Sequence, residues 1–91
     1  MTEVPERTVT VASKVGLHAR PAALVAKTAA AQSVEVTIAK DGGTPVAASS
    51  VLNLMTLGVA HGDTVVIAAE GDGAEAAVDA VADVVAQDLD G

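Results

Sequence analysis

The residues of this chain best suited to chemistry lie together in Gly16-Leu17-His18-Ala19-Arg20-Pro21. An imidazole, a guanidinium and a proline fall within four residues, directly before a run of strong helix formers. Proline costs nothing in the first turn of a helix, where its missing N–H has no intrahelical partner to lose. Pro21 therefore marks a helix start and puts His18 at or just before the N-cap. The N–H groups of a helix start are unpaired, and with the helix dipole they form an anion site. The same dipole disfavours an imidazolium, which keeps the ring of His18 neutral and nucleophilic near neutral pH. Arg20 adds a fixed positive charge with several donors. Once the ring holds a phosphoryl group, the dipole and Arg20 stabilise the charge that has arrived. A histidine at a loop–helix junction is more often a surface residue or a simple cap; Arg20 and Pro21 are what single this one out. The chemistry indicated is phosphoryl transfer through a phosphohistidine, which asks mainly for positioning and charge stabilisation.

Composition excludes several competing functions. There is no cysteine, so neither a disulfide framework nor a thiolate metal site can form. The only other histidine, His61, lies 43 positions away in a Gly- and Asp-containing turn and reads as a surface loop residue. Two such histidines do not make a zinc signature, and no metal is expected. No Gly-rich phosphate loop is present, so ATP and other cofactors are not expected either. The chain has no aromatic residue with which to stack on bases, and its net charge of −7 repels a phosphate backbone. Nucleic acid is therefore not a partner. Within this acidic chain, three of the five basic residues, Lys14, Arg20 and Lys27, lie close to His18 in sequence. The segment Met1 to Arg7 is polar and lacks the apolar centre of a signal peptide. No apolar run is long enough to span a bilayer, so the expectation is a soluble cytoplasmic protein with no membrane insertion.

The elements that must position His18 follow from period and punctuation. With 91 residues the chain is expected to form a single domain over 1–91, frayed at 1–6 and 89–91. Thr8-Val9-Thr10-Val11 alternates polar and apolar, which predicts a half-buried strand. Ser13 to Leu17 is the loop that follows, and Pro21 to about Ala31 the helix, with Leu24 and Val25 its largest apolar groups. Val34, Val36 and Ile38 alternate in a second strand. Asp41-Gly42 turns it into a short return strand, Pro45 to Ala48, where proline suits an edge. Ser49 and Ser50 before and Gly58 after punctuate a short helix, Val51 to Leu57. Ser50 is its N-cap, worth about 1 kcal/mol. Thr64 to Ala69 predicts a central strand. Ala74 to about Asp88 predicts a helix with Val78, Val81, Val85 and Leu89 on its buried face. Glu75, Asp79 and Asp83 form an acidic stripe that reads as solvated surface. The order β-α-β-β-α-β-α implies an α+β sandwich, a mostly antiparallel sheet with helices on one face.

Two segments carry a resemblance to a known family. Gly16-Leu17-His18-Ala19-Arg20-Pro21 resembles the active-site motif of HPr, the histidine phosphocarrier of the bacterial sugar phosphotransferase system. Ser50-Val51-Leu52-Asn53-Leu54-Met55-Thr56-Leu57-Gly58 resembles the short helix of the same family, in the right order and at the right spacing. The resemblance runs from about Thr8 to Asp88. It implies an HPr-like open-faced β-sandwich, with a four-stranded antiparallel sheet covered on one face by helices. It also implies that enzyme I passes phosphate from phosphoenolpyruvate to Nδ1 of His18, and that a histidine of enzyme IIA receives it. Arg20 would hold the phosphoryl oxygens, assisted by the backbone N–H groups of Ala19 and Arg20. Val51, Leu52 and Met55 would form an apolar docking patch with Lys27 at its rim. A small patch with a charged rim suits a monomeric carrier that visits two partners in turn. Such a protein carries a group; it is not an enzyme turning over alone. Val15 departs from the family pattern, which often has a small polar residue three positions before the histidine.

Three further readings stay open at this level. An HPr-like carrier can serve a nitrogen-linked phosphorelay or a dihydroxyacetone kinase system. A purely regulatory module would act through Ser50, the position that an HPr serine kinase modifies in some bacteria; a phosphate there would set negative charge beside the docking patch. The fourth, a generic α+β domain, requires both ordered motifs to arise by chance.

Overall fold

The computed structural model describes residues 5–12 and 19–87. Seven elements follow in chain order: β1 (Glu6–Thr10), α1 (Ala19–Ala30), β2 (Val36–Lys40), β3 (Val46–Ala47), α2 (Val51–Thr56), β4 (Thr64–Ala69) and α3 (Ala74–Ala86). The order is the predicted β-α-β-β-α-β-α. The strands form one antiparallel sheet in the spatial order β1-β4-β2-β3. Thr64 to Ala69 is central, as its apolar composition predicts, and the short strand after Pro45 lies at an edge.

Alternation along the strands decides which sheet face is covered. Val65, Ile67 and Ala69 of β4 are buried, while Thr64, Val66 and Ala68 are half-buried on the other face. Ile67 stands opposite Arg7 on one side and Ile38 on the other, so these residues share the covered face. On that face α3 lies against β1, β2 and β4, and α1 lies against α3. Helix α3 buries Ala74, Ala77, Val78, Val81, Ala82 and Val85, and α1 buries Pro21, Ala22, Val25, Ala26 and Ala29. The core thus consists of Val, Ala, Ile and Leu, closing without an aromatic ring.

Several boundaries differ from the sequence expectation. Helix α1 begins at Ala19, two residues before Pro21, so the proline sits inside the first turn, where it is tolerated. β2 begins at Val36 rather than Val34, and β3 narrows to Val46–Ala47, which stand opposite Ile38 and Thr37 of β2. α3 ends at Ala86, before the acidic residues that oppose the dipole at that end. The acidic stripe of α3 is not simply solvated. Arg7 of β1 reaches Asp79 at 3.3 Å and Asp83 at 3.5 Å, pinning the edge strand to the helix. The two partners lie far apart in sequence, and no local pattern announces the pair.

Candidate functional site

The site is built on two helix starts. His18, with the loop Ser13–Leu17 that precedes it, lies outside the described residues. Ala19, the next residue in the chain, opens α1. The first N–H groups of α1, those of Ala19 and Arg20 among them, have no partner within the helix. The first turn carries no acidic side chain to occupy them. Arg20 is exposed in that turn. The result is a helix start with a guanidinium beside it, suited to an anion.

Down α1, Arg20, Leu24 and Lys27 fall four and three apart, so they line one face. All three are exposed. Leu24 is 43% exposed, a large apolar group facing away from a core that takes Val25 completely. Among the large apolar residues of α1, Leu24 is the one whose exposure its residue type does not predict. The signal was available: Ala22, Val25, Ala26 and Ala29 share a face that excludes position 24. Helix α1 contains no acidic residue, so this stripe is cationic and apolar in an otherwise acidic molecule.

Helix α2 packs against α1 and β3. Ser50 caps it as predicted: its backbone is extended, and its hydroxyl oxygen accepts from the N–H of Asn53 at 3.2 Å. At the other end Gly58 adopts φ +70°, a conformation that suits glycine, and donates to the carbonyl of Met55 at 3.4 Å. Only Leu54 of α2 is buried. Val51, Leu52 and Met55 are turned outward, 37%, 71% and 44% exposed. Met55 follows Val51 by four residues and Leu52 by three, so the three share one apolar side of the helix, with Leu54 as the anchor beneath. The structure thus brings the expected patch residues onto one exposed face and sets α2 beside the helix that carries Arg20, Leu24 and Lys27.

A family model described as the PTS HPr component phosphorylation site matches residues 5–87. The chain belongs to the HPr family. The phosphocarrier protein HPr of Streptomyces coelicolor is 46% identical over 85 residues, covering 93% of this chain and 91% of that protein. HPr of Haloferax volcanii is 46% identical over 80 residues, covering 87% of this chain and 90% of its own length. The crystal structure of HPr from Bacillus anthracis matches with a TM-score of 0.84 at 37% identity, covering 92% of this chain and 99% of that one. The role of this HPr-family chain is that of a phosphocarrier in the phosphotransferase system. Among the described residues no helix is long and apolar enough to cross a membrane.

Proposed function

We propose that His18 is the residue that carries the phosphoryl group, taking it from phosphorylated enzyme I and giving it to a histidine of a sugar-specific enzyme IIA. In the first transfer the Nδ1 lone pair attacks phosphorus, a P–N bond forms, and the bond to the donor breaks. In the second the P–N bond to His18 breaks as the acceptor nitrogen bonds to phosphorus. Arg20 and the N–H groups at the start of α1 hold the phosphoryl oxygens through both steps. The partners dock in turn on the exposed face of Val51, Leu52 and Met55, with Leu24 extending it and Lys27 at the rim. The protein acts in the cytoplasm as a monomer and turns nothing over by itself.

The observation that carries this reading is the placement of Arg20, exposed in an acid-free first turn that begins at the residue after His18. The test is incubation with active enzyme I and phosphoenolpyruvate, then mapping of the phosphate. An acid-labile, base-stable phosphate on His18, lost in His18→Ala while the fold persists, is the expected result. Labelling that survives His18→Ala would overturn the assignment.

A further inference from the structure

The chain contains no cysteine, tryptophan or tyrosine, so it has no thiol, indole or phenol to react first with an oxidant. Its sulfur lies in two methionines, Met1 and Met55, of which Met55 is among the described residues. Leu54 and Met55 are neighbours on α2 in opposite environments: Leu54 is fully buried, whereas Met55 is 44% exposed and open to a small oxidant dissolved in water. The seating of α2 does not depend on the Met55 side chain. It depends on the buried Leu54, on the Ser50 cap, and on the main-chain carbonyl of Met55, which accepts from the Gly58 N–H at 3.4 Å. An oxygen added to the sulfur leaves all three in place. Nor does α2 offer that oxygen a ready partner. Val51-Leu52-Asn53-Leu54-Met55-Thr56 contains no cationic side chain, and the Thr56 hydroxyl already donates to the Asn53 carbonyl at 3.0 Å. The new polar group would stand in the apolar side shared with Val51 and Leu52.

We propose that Met55 is a reversible oxidation site, at which a peroxide weakens docking on α2 and reduction of the sulfoxide restores it. This rests on the phosphocarrier reading with α2 as the docking helix. In the oxidation a lone pair on Sδ of Met55 attacks one peroxide oxygen. An S–O bond forms, the O–O bond breaks, and the second oxygen takes up the proton of the first and leaves as water. The sulfur loses two electrons and the peroxide gains them. In the reverse step two thiols are oxidised to a disulfide and the sulfoxide oxygen leaves as water. The product replaces a flexible apolar thioether by a strong hydrogen-bond acceptor. Free in water the sulfoxide is solvated; under a docked partner it is buried against apolar groups without a donor, so the complex bears the cost and the free fold does not. The patch is small, so one altered side chain of three is a large share of it.

The experiment treats the parent and Met55→Leu with hydrogen peroxide, removes the peroxide, and maps added oxygen by peptide mass spectrometry. Steady-state phosphorylation by enzyme I and thermal melts follow, each protein being compared with itself before and after treatment. Met55→Leu keeps Met1, so it isolates the contribution of position 55. The expected result for the parent is one added oxygen on Met55 and a KM for its phosphorylation by enzyme I raised roughly five- to fiftyfold, the effect of burying an unpaired polar group, with kcat and the melting midpoint unchanged. Methionine sulfoxide reductases with a thiol reductant should return that KM to its starting value. In Met55→Leu, peroxide should leave KM where it was before treatment. An unmodified Met55, an oxidised Met55 with unchanged KM, an equal rise in treated Met55→Leu, or a collapse of the parent's melting midpoint would overturn the proposal. Failure of the reductases to restore KM would do the same. If the untreated parent takes no phosphate from active enzyme I, the phosphocarrier reading fails and the proposal with it. If the untreated parent is labelled on His18 and oxidation of Met55 changes nothing, only the oxidation site fails.

Discussion

Leu54 and Leu52 sit two residues apart on one short helix and should respond to truncation in opposite ways. Leu54 is fully buried and is the only buried residue of α2, while Leu52 is 71% exposed. Leu54→Ala removes the anchor and leaves a cavity between α2 and its neighbours, a change that costs about 2–5 kcal/mol in buried positions. The helix spans only six residues, so its surroundings can partly collapse, which places the expectation near the middle of that range, about 3 kcal/mol. A chain of this length is stable by about 5–14 kcal/mol, so the variant should still fold at room temperature. Its midpoint should fall by roughly 12–24 °C. Leu52→Ala should stay within about 0.5 kcal/mol of the parent, because it removes no buried contact. The chain has no tryptophan or tyrosine, so intrinsic fluorescence cannot follow the transition. Far-UV circular dichroism or calorimetry reads it instead. Phosphorylation by enzyme I below both midpoints supplies the second measurement, in which Leu52→Ala should raise KM despite its intact stability. A Leu54→Ala midpoint within a few degrees of the parent, or a Leu52→Ala variant as unstable as Leu54→Ala, would refute the division of α2 into an anchor and a docking face.

The remaining expectations concern single groups. Arg20→Ala should slow phosphoryl transfer by roughly ten- to a hundredfold, the value of a lost charge-assisted hydrogen bond, and Arg20→Lys should recover only part because a point charge replaces a planar fork; single-turnover kinetics measure both. Ser50→Ala should cost about 1 kcal/mol in thermal melts through loss of the cap on Asn53, whereas Ser50→Asp should keep most of it, since aspartate caps equally well. The Ala60 N–H, with Lys40 adding to it, holds the Asp63 carboxyl below its ordinary value of 3.8 against the opposing effect of burial. A lowered folded-state value means that the stability contributed by this carboxylate is full above that ordinary value and is lost as pH falls through the folded one. The stability gap between parent and Asp63→Asn should therefore hold steady from about pH 7 to about pH 5 and close in more acidic solution. A gap that widened on acidification, measured by denaturant titration across that range, would contradict the assignment.

Much of the architecture was legible because it is written in short-range terms. Alternation in Thr8–Val11 and the apolar run Thr64–Ala69 are visible within a few residues, and both became strands of the sheet. Ser50 and Gly58 bracket α2 because a hydroxyl acceptor and a left-handed backbone are local requirements of a helix start and end. The exposure of Val51, Leu52 and Met55 was expected from the family resemblance and is also consistent with one helical face. Leu24 was harder to place, because an apolar residue on an amphipathic helix is assigned to the core unless the buried face is counted position by position.

By itself, then, the amino-acid sequence determined the kind and order of the elements, the caps of α2 and the junction at which His18 meets a helix start. Each depends on residues within about one turn or one strand of each other, where propensity and hydrogen-bonding geometry act directly. The tertiary structure alone decided that β4 separates β1 from β2 and that Arg7 holds Asp79 and Asp83. It alone brought Lys40 to the turn that holds Val11, and α1 and α2 side by side. These pairings join residues far apart in the chain. They form only when burial of the Val- and Ala-rich faces offsets the entropy of closing the intervening loops, and no local pattern encodes which partner each surface group will meet.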